Sequence, residues 1–557
     1  MPSEYKGEVW MLDTFGNVHS LVNACKQLGF KVNRITDPSQ IPSAQVLPPH
    51  SLDIADQKKI MFCGVGNFGH CMSALQDKQV ISELKQYILA GKPFMGICVG
   101  LQALFSGSEE SPSTPGLGIL PGKVQRFSSK DKSVPHIGWN NAAFRDSEDA
   151  QSEIYGLRGS SKYYYVHSYA VPFSAENTRL LDEWHVATGR YGDDEFVGAI
   201  AHRKYRQLAT QFHPEKSGKA GLRVLRAFLE DLPLEEEISA EEARVVETAS
   251  GGLTRRVIAC LDVRTNDAGD LVVTKGDQYD VREKGEGKEV RNLGKPVDLA
   301  QRYYEEGADE ITFLNITSFR NCPLVDLPML EVLRRTAERV FVPLTIGGGI
   351  RDLVDPDGTK HSALDVTTKY FQSGADKVSI GSDAVLAVEE YLARSKTLDG
   401  TTSIETIAAA YGNQAVVVSV DPKRVYVKSQ SDTKHHTIKV SRPGPNGEEY
   451  AWYQCTIKGG REGRDIDVRQ LVTAVERMGA GEILLNCMDQ DGTNEGYDLE
   501  LIKDVKEAVK IPVIASSGAG KVEHFYEAFV EAGADAALAA GIFHRREGTY
   551  SLILCLH

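Results

Sequence analysis

Pro93-Phe94-Met95-Gly96-Ile97-Cys98-Val99-Gly100-Leu101-Gln102-Ala103-Leu104-Phe105 reads as a short strand, a sharp turn and a helix, with a thiol at the apex. The two glycines that frame Cys98 suit an elbow, which demands unusual backbone angles and close packing around a nucleophile. Far downstream, Gln211-Phe212-His213-Pro214-Glu215 offers a base and a carboxylate two residues apart. As a strand, that segment would put His213 and Glu215 on one face. A cysteine, a histidine and an orienting acid suffice to make and break an acyl-thioester. Gly64-Val65-Gly66-Asn67, after the apolar run Lys59–Phe62, is a candidate source of backbone N–H donors for an oxyanion, and the backbone of Val99 is a second.

Around this elbow, residues 8–230 alternate apolar strands with amphipathic helical stretches, among them Val9–Leu12, Tyr163–Val166 and Leu208–Gln211. The pattern predicts an α/β domain with a central sheet. The next stretch, 231–252, is acidic and helix-prone, with Glu235, Glu236, Glu237, Glu241, Glu242 and Glu247, and reads as a solvated linker helix.

From 253 to 557 the pattern changes. Strand-like runs recur behind Gly-Ala-acid or Val/Ile-Pro signals: Gly307-Ala308-Asp309-Glu310, Val342-Pro343, Gly374-Ala375-Asp376-Lys377, Gly479-Ala480-Gly481-Glu482, Ile511-Pro512 and Gly533-Ala534-Asp535. Gly307 and Gly479 stand 172 residues apart, Pro343 and Pro512 169, and Gly374 and Gly533 159. A period this long is not a solenoid repeat. It describes two similar halves of four βα units each, hence a (β/α)8 barrel with half-barrel duplication. The duplication makes Asp262 and Asp421 equivalent, 159 residues apart and both at C-terminal strand ends, where barrels carry their chemistry.

Gly-Ile-Cys-Val-Gly-Leu-Gln, Tyr165-Val166-His167-Ser168 and Gln-Phe-His-Pro-Glu-Lys-Ser-Gly are similar to the class I (triad) glutamine amidotransferases. The resemblance implies glutamine hydrolysis, with Cys98 as nucleophile, His213 as general base and Glu215 as its orienter. Gln102, His167 and Ser168 would help hold L-glutamine. Ile258-Ala259-Cys260-Leu261-Asp262-Val263, Gly347-Gly348-Gly349-Ile350, Val416–Asp421 and Ser517-Gly518-Ala519-Gly520 resemble the cyclase subunit of imidazole glycerol phosphate synthase. The order amidotransferase, linker, cyclase resembles the single-chain fungal form of that enzyme family.

That resemblance implies that ammonia attacks a carbonyl of a bis-phosphorylated aminoimidazole carboxamide ribonucleotide, and that elimination and ring closure follow. Asp262 and Asp421 would be the acid/base pair. Phosphates at both ends of the substrate need two cradles, and glycines let backbone N–H groups approach them. One half of the barrel supplies Gly349 with Gly381-Ser382, and the other Asp491-Gly492-Thr493, Gly518 and Ala540-Gly541. Lys275, in a long polar segment, would close over the substrate. Four charges, Arg256, Glu310, Lys377 and Glu482, start strands at the end opposite the chemistry. The family resemblance implies an ammonia gate there, with the amidotransferase docked at that end, although barrel bottoms ordinarily serve stability.

The chain departs from the family pattern in places. The turn Asp13–Asn17 is one residue short, Cys63 stands where the family has proline, and Ser43–Gln57 is longer and more polar. After Phe543-His544-Arg545 the apolar tail Ser551–Leu556 lacks helical periodicity, so the last barrel helix is expected to be missing. Two other readings stay open: a barrel-coupled amidotransferase with a different phosphorylated acceptor, and a non-catalytic phosphosugar-binding protein.

Composition narrows the classes. Among 557 residues, a hydrophobic content of 41% and a charged content of 25% are those of a soluble protein. The net charge of −14 argues against nucleic-acid binding. Nine cysteines without a C-x-x-C pair argue against a disulfide framework or structural zinc, and neither metal nor cofactor is expected. No apolar run approaches the roughly 20 residues of a membrane span, and no signal segment is evident, so the expectation is a cytoplasmic protein without membrane contact.

Overall fold

The alternation of apolar strands and helices ahead of residue 230 becomes a mixed sheet, seen in a computed structural model. The structure describes residues 5–13, 18–42, 58–64, 66–145, 152–174, 178–232, 235–237, 252–266, 270–274, 292–316 and 324–546. Val65, Lys275, the segments 14–17 and 43–57, most of 231–252 and the tail 547–557 lie outside the described residues. The chain divides into two units, Met1–Thr254 and Arg255–His557. Among the described residues no helix is long and apolar enough to cross a membrane.

In the first unit the elements are β1 (Gly7–Asp13), α1 (His19–Gln27), β2 (Phe30–Arg34), β3 (Lys59–Gly64), α2 (Phe68–Asp77), α3 (Ile81–Leu89), β4 (Phe94–Cys98), α4 (Val99–Gln102), β5 (His136–Asn141), β6 (Ala143–Phe144), β7 (Lys162–His167), β8 (Trp184–Tyr191), β9 (Asp194–His202), β10 (Gln207–Thr210) and α5 (Gly218–Leu229). Eight strands form one sheet in the order β2-β1-β3-β4-β10-β9-β8-β6. Strands β1 to β4 and β10 run parallel, and β3 and β4 are wholly buried, as strands covered on both faces must be.

The Tyr163–Val166 run is a strand, as expected, and pairs with β5 in a two-stranded sheet apart from the central one. One expectation is corrected. Within the acidic stretch, Glu235–Glu237 is extended rather than helical, pairing antiparallel with Ser152–Ile154. An available strand edge outweighs a helix propensity worth only tenths of a kcal/mol per residue, roughly.

The second unit holds β11 (Arg256–Thr265), β12 (Leu271–Thr274), α6 (Pro296–Glu305), β13 (Glu310–Asn315), α7 (Pro328–Ala337), β14 (Leu344–Gly347), α8 (Ala363–Gln372), β15 (Lys377–Ile380), α9 (Ser382–Ala393), α10 (Ser403–Tyr411), β16 (Val416–Val420), β17 (Pro422–Val427), β18 (Thr437–Lys439), β19 (Tyr450–Ile457), β20 (Glu462–Asp467), α11 (Val468–Met478), β21 (Glu482–Asn486), α12 (Leu499–Ala508), β22 (Val513–Ser516), α13 (Glu523–Tyr526), β23 (Ala536–Ala539) and α14 (Gly541–His544). Strands β11, β13, β14, β15, β16, β21, β22 and β23 are parallel neighbours, and β23 pairs back with β11. This is a closed eight-stranded barrel, with an antiparallel excursion β17–β20 inserted after β16. After β23 the described chain is helical only over α14.

The Gly-Ala-acid repeat has a physical explanation. Each glycine ends a helix in the left-handed region: Gly307, Gly374, Gly479 and Gly533 have φ of +102°, +114°, +107° and +71°. Gly479 N–H bonds to Glu476 O at 3.1 Å and Ala480 N–H to Val475 O at 2.9 Å, and the pattern recurs at 307–308 and 374–375. That is a glycine C-cap of the Schellman type. Each acid then clamps the start of the adjacent strand. Asp309 accepts from Val257 N–H, Asp376 from Leu344 N–H and Asp535 from Val513 N–H, all at 2.8 Å. The fourth copy has Gly481 instead, where a Cβ would run into the Asn413 carbonyl. The duplication also repeats in the ladder: Ile311 N–H bonds to Pro343 O at 3.0 Å, and Ile483 N–H to Pro512 O at 2.9 Å.

Candidate active sites

Cys98 ends β4 and caps α4 with φ +54° and ψ −106°. The strained angles sit on the cysteine itself, whereas the glycines are needed for close approach. A Cβ on Gly96 would stand 2.7 Å from the Gly100 carbonyl oxygen, and one on Gly100 would run into the Phe62 carbonyl of β3. Gly64 is the register partner of Cys98, and a Cβ there would meet Cys71 Sγ at 2.8 Å. Gly64 thus lies beside the thiol, and Gly66, two positions further on, has φ +127°.

His213 and Glu215 do not lie on a strand. Pro214 starts a 3-10 turn, Pro214–Lys216, capped by His213. Proline pre-sets the backbone for that turn. The turn still brings the pair together, with His213 Nδ1 to Glu215 Oε1 at 2.8 Å, both groups buried. Burial works against the imidazolium, but Glu215 and Cys98 outweigh it, so the His213 pKa is raised well above its ordinary value. Nε2 closes no hydrogen bond with the described residues. This arrangement can take a proton from a thiol and return it to a leaving group.

Behind the thiol stand Gln102 and His167, together with Gln211, which the sequence reading passed over. Gln211 Nε2 donates to Cys98 Sγ at 3.5 Å. Gln102 spends both amide hydrogens internally, on Tyr169 O at 2.9 Å and Gln211 Oε1 at 3.1 Å. The His167 ring is likewise committed, Nδ1 to Tyr169 O at 2.8 Å and Nε2 to His136 Nδ1 at 3.1 Å. Both ring nitrogens therefore have partners within the protein. Ser168 is half-buried, and its carbonyl accepts from Phe127 N–H at 3.1 Å.

In the barrel, Asp262 lies level with Leu314, near the end of β13. Its Oδ1 accepts from Cys260 Sγ at 3.6 Å. Asp421 follows β16 directly and accepts from Asn486 Nδ2 at 2.9 Å. Desolvation and the nearby Asp491 carboxylate push its pKa up to about 6, against the opposing Asn486 hydrogen bond. Two carboxylates in different environments at one barrel end suit divided acid and base roles. Thr456, from β19, donates to the Asp421 carbonyl at 2.6 Å.

The proposed cradles differ in room. Gly349, at φ +78°, has open space where a Cβ would stand, and Gly381 is nearly as open. Ser382 begins α9, and its Oγ accepts from Lys458 N–H at 2.9 Å. Gly518, at φ +100°, packs against the Gly496 carbonyl. Gly492, at φ +76°, and Thr493 follow β21, where Thr493 Oγ1 donates to Gln490 O at 2.9 Å. Ala540 and Gly541 start α14. Arg545, which the sequence reading missed, holds Nη1 2.7 Å from where a Gly541 Cβ would stand and donates to Asn494 Oδ1 at 3.1 Å.

At the other end of the strands, Arg256, Glu310, Lys377 and Glu482 close a ring, each at most 1% exposed. Arg256 Nη1 meets Glu310 Oε2 at 2.7 Å, and Nη2 pairs with Glu482. Lys377 Nζ meets Glu310 Oε1 at 2.6 Å and Glu482 Oε2 at 2.9 Å. Thr345 Oγ1 adds a bond to Glu310 at 2.7 Å. Burial would raise the Glu310 pKa, but Lys377 and Arg256 reverse this and hold it below the ordinary value. Among the described residues, no group of three or more His, Cys, Asp or Glu side chains could hold a metal ion.

Residues 11–232 match the family of class-I glutamine amidotransferases, and residues 256–549 the family of histidine biosynthesis proteins. The chain is 60% identical to imidazole glycerol phosphate synthase hisHF of Schizosaccharomyces pombe over 95% of its own length and 94% of that protein's. It is 61% identical to the hisHF protein of Emericella nidulans, over 96% and 94%. The chloroplastic hisHF protein of Arabidopsis thaliana is 52% identical, over 96% and 85%.

Proposed function

The chain belongs to the imidazole glycerol phosphate synthase family, glutamine amidotransferase–cyclases of histidine biosynthesis, and we propose a division of that reaction among its own residues. Cys98 attacks the side-chain carbonyl of glutamine while His213, oriented by Glu215, takes the thiol proton. The oxyanion is met by N–H groups of Val99 and the Gly64–Gly66 turn. His213 returns the proton to the departing ammonia, leaving a thioester. Water, activated by the same imidazole, then releases glutamate and restores the thiol.

In the barrel, ammonia condenses with the carbonyl of phosphoribulosyl-formimino-aminoimidazole carboxamide ribonucleotide, with loss of water. Elimination and ring closure yield imidazole glycerol phosphate and the aminoimidazole carboxamide ribonucleotide. Asp262 and Asp421 handle the protons. With its pKa raised to about 6, Asp421 can hold a proton to donate close to neutral pH. The two glycine cradles take the terminal phosphates, and Lys275 closes over the substrate. The buried ring of Arg256, Glu310, Lys377 and Glu482 is the constriction that ammonia would cross to reach the aspartates inside the barrel, away from bulk water.

What carries this reading is one chain holding both a buried Cys98–His213–Glu215 constellation and two carboxylates at equivalent strand ends. Reciprocal variants test it. Cys98→Ala should abolish glutamine-dependent turnover and keep ammonia-dependent turnover. Asp421→Asn should keep glutaminase activity and lose cyclisation. Loss of both activities in either variant would sink the division.

A further inference from the structure

A line of buried polar side chains runs from Asn140 to the Cys98 sulfur, and each link has only one allowed direction. Asn140 Oδ1 accepts from Asn141 N–H at 2.9 Å and Nδ2 donates to Arg190 O at 2.9 Å, which fixes its amide. Nδ2 lies 3.3 Å from His136 Nε2, so that nitrogen must accept and His136 carries its proton on Nδ1. His136 Nδ1 then donates to His167 Nε2 at 3.1 Å, and His167 Nδ1 donates to Tyr169 O at 2.8 Å. A carbonyl only accepts, so the assignment closes without contradiction.

The same Tyr169 carbonyl fixes the next amide. Gln102 Nε2 donates to it at 2.9 Å, and its second hydrogen goes to Gln211 Oε1 at 3.1 Å. Gln211 therefore has its carbonyl turned to Gln102 and its N–H turned to Cys98 Sγ, 3.5 Å away. His136, Asn140 and Gln211 are fully buried, with Gln102 and His167 at 3%. His136 is further stacked between Tyr165 and Tyr191, with centroids 5.1 and 4.3 Å away. Burial holds both imidazoles neutral, His136 well below its ordinary pKa and His167 down to about 3.

Because two donors converge on Tyr169 O, the line cannot pass a proton along. Its effect is orientational. It presents a donor to the sulfur, which makes the sulfur an acceptor and leaves the thiol's own proton for His213. A donor is worth more to a thiolate than to a thiol, since hydrogen bonds to charged groups are roughly twice as strong.

We propose that Gln211 is a catalytic residue of the glutaminase site, donating through Nε2 to the Cys98 sulfur, and that Gln102, His167 and His136 are positioning residues that hold its amide in that orientation. This rests on Cys98 being the nucleophile. The test uses the full chain and reads glutaminase kcat and KM, together with iodoacetamide labelling of Cys98 at pH 7, located by peptide mass spectrometry. Ammonia-dependent cyclisation and thermal melting serve as folding controls.

Gln211→Met, similar in volume but without a donor, should lower both kcat and the labelling rate by about tenfold, the loss of one charge-assisted hydrogen bond, with KM for glutamine nearly unchanged. His136→Phe, three side chains further along the line, should shift both in the same direction by a smaller factor. Labelling of Gln211→Met at the wild-type rate overturns the proposal. Should that variant not fold, unchanged labelling and kcat in His136→Phe overturns it instead. Cys98→Ser separates the two levels: retained glutaminase activity there would refute the nucleophile, not the line behind it.

Discussion

Asp262 and Asp421 are one residue type at equivalent strand ends, yet their surroundings differ atom by atom. Asp262 has a weak thiol donor, Cys260, whereas Asp421 has the Asn486 amide and the like charge of Asp491. The pH dependence of cyclisation, measured at constant free ammonia, should show a limb near pH 6 from Asp421. Asp491→Asn removes a repulsion that disfavours the carboxylate, so the limb moves to lower pH. Asn486→Ala removes a donor that favours it, so the limb moves to higher pH. Identical limbs in both variants would show that Asp421 is not the titrating group.

At the scale of elements, the barrel ends are built differently. The C-terminal ends carry glycines and half-buried carboxylates, while the N-terminal ends carry four charges excluded from water. The ring is electrically balanced, with two guanidinium or ammonium groups and two carboxylates, all multiply paired. Arg256→Met leaves two buried carboxylates to Lys377 alone. Urea unfolding of that variant should show a loss of about 3–5 kcal/mol, the usual cost of breaking a buried pair. Arg256→Met combined with Glu310→Met restores neutrality and should recover most of it. A single-variant loss under about 1 kcal/mol would mean that water reaches the ring.

At the scale of the whole molecule, the proposed reading puts one phosphate cradle in each half of the barrel. Titration with inorganic phosphate should find two equivalents. Gly518→Ala should remove one, because a Cβ there would drive into the Gly496 carbonyl, while the cradle of Gly349, Gly381 and Ser382 remains. A single equivalent in the unsubstituted protein would contradict the paired reading.

Much of this was legible in the sequence because the signals are short in range or repeated. The cysteine elbow spans five residues, His213 and Glu215 stand two apart, and the Gly-Ala-acid copies recur just ahead of strand-forming runs. Repetition along a chain survives any uncertainty about how it folds, so both aspartates and all four ring charges could be named. The sequence by itself thus determined the order of domains and the barrel, and it named the candidates for the reacting groups. Only the tertiary structure decided which side chains hold them: Gln211 on Cys98 from 113 positions away and Asn486 on Asp421 from 65. It also decided that His213 and Glu215 meet through a turn, and that Glu235–Glu237 pairs as a strand. The physical reason is common to all of these. Orientation in a buried site is set by hydrogen bonds between chain segments that only folding brings together, and no local pattern records which donor will face which acceptor.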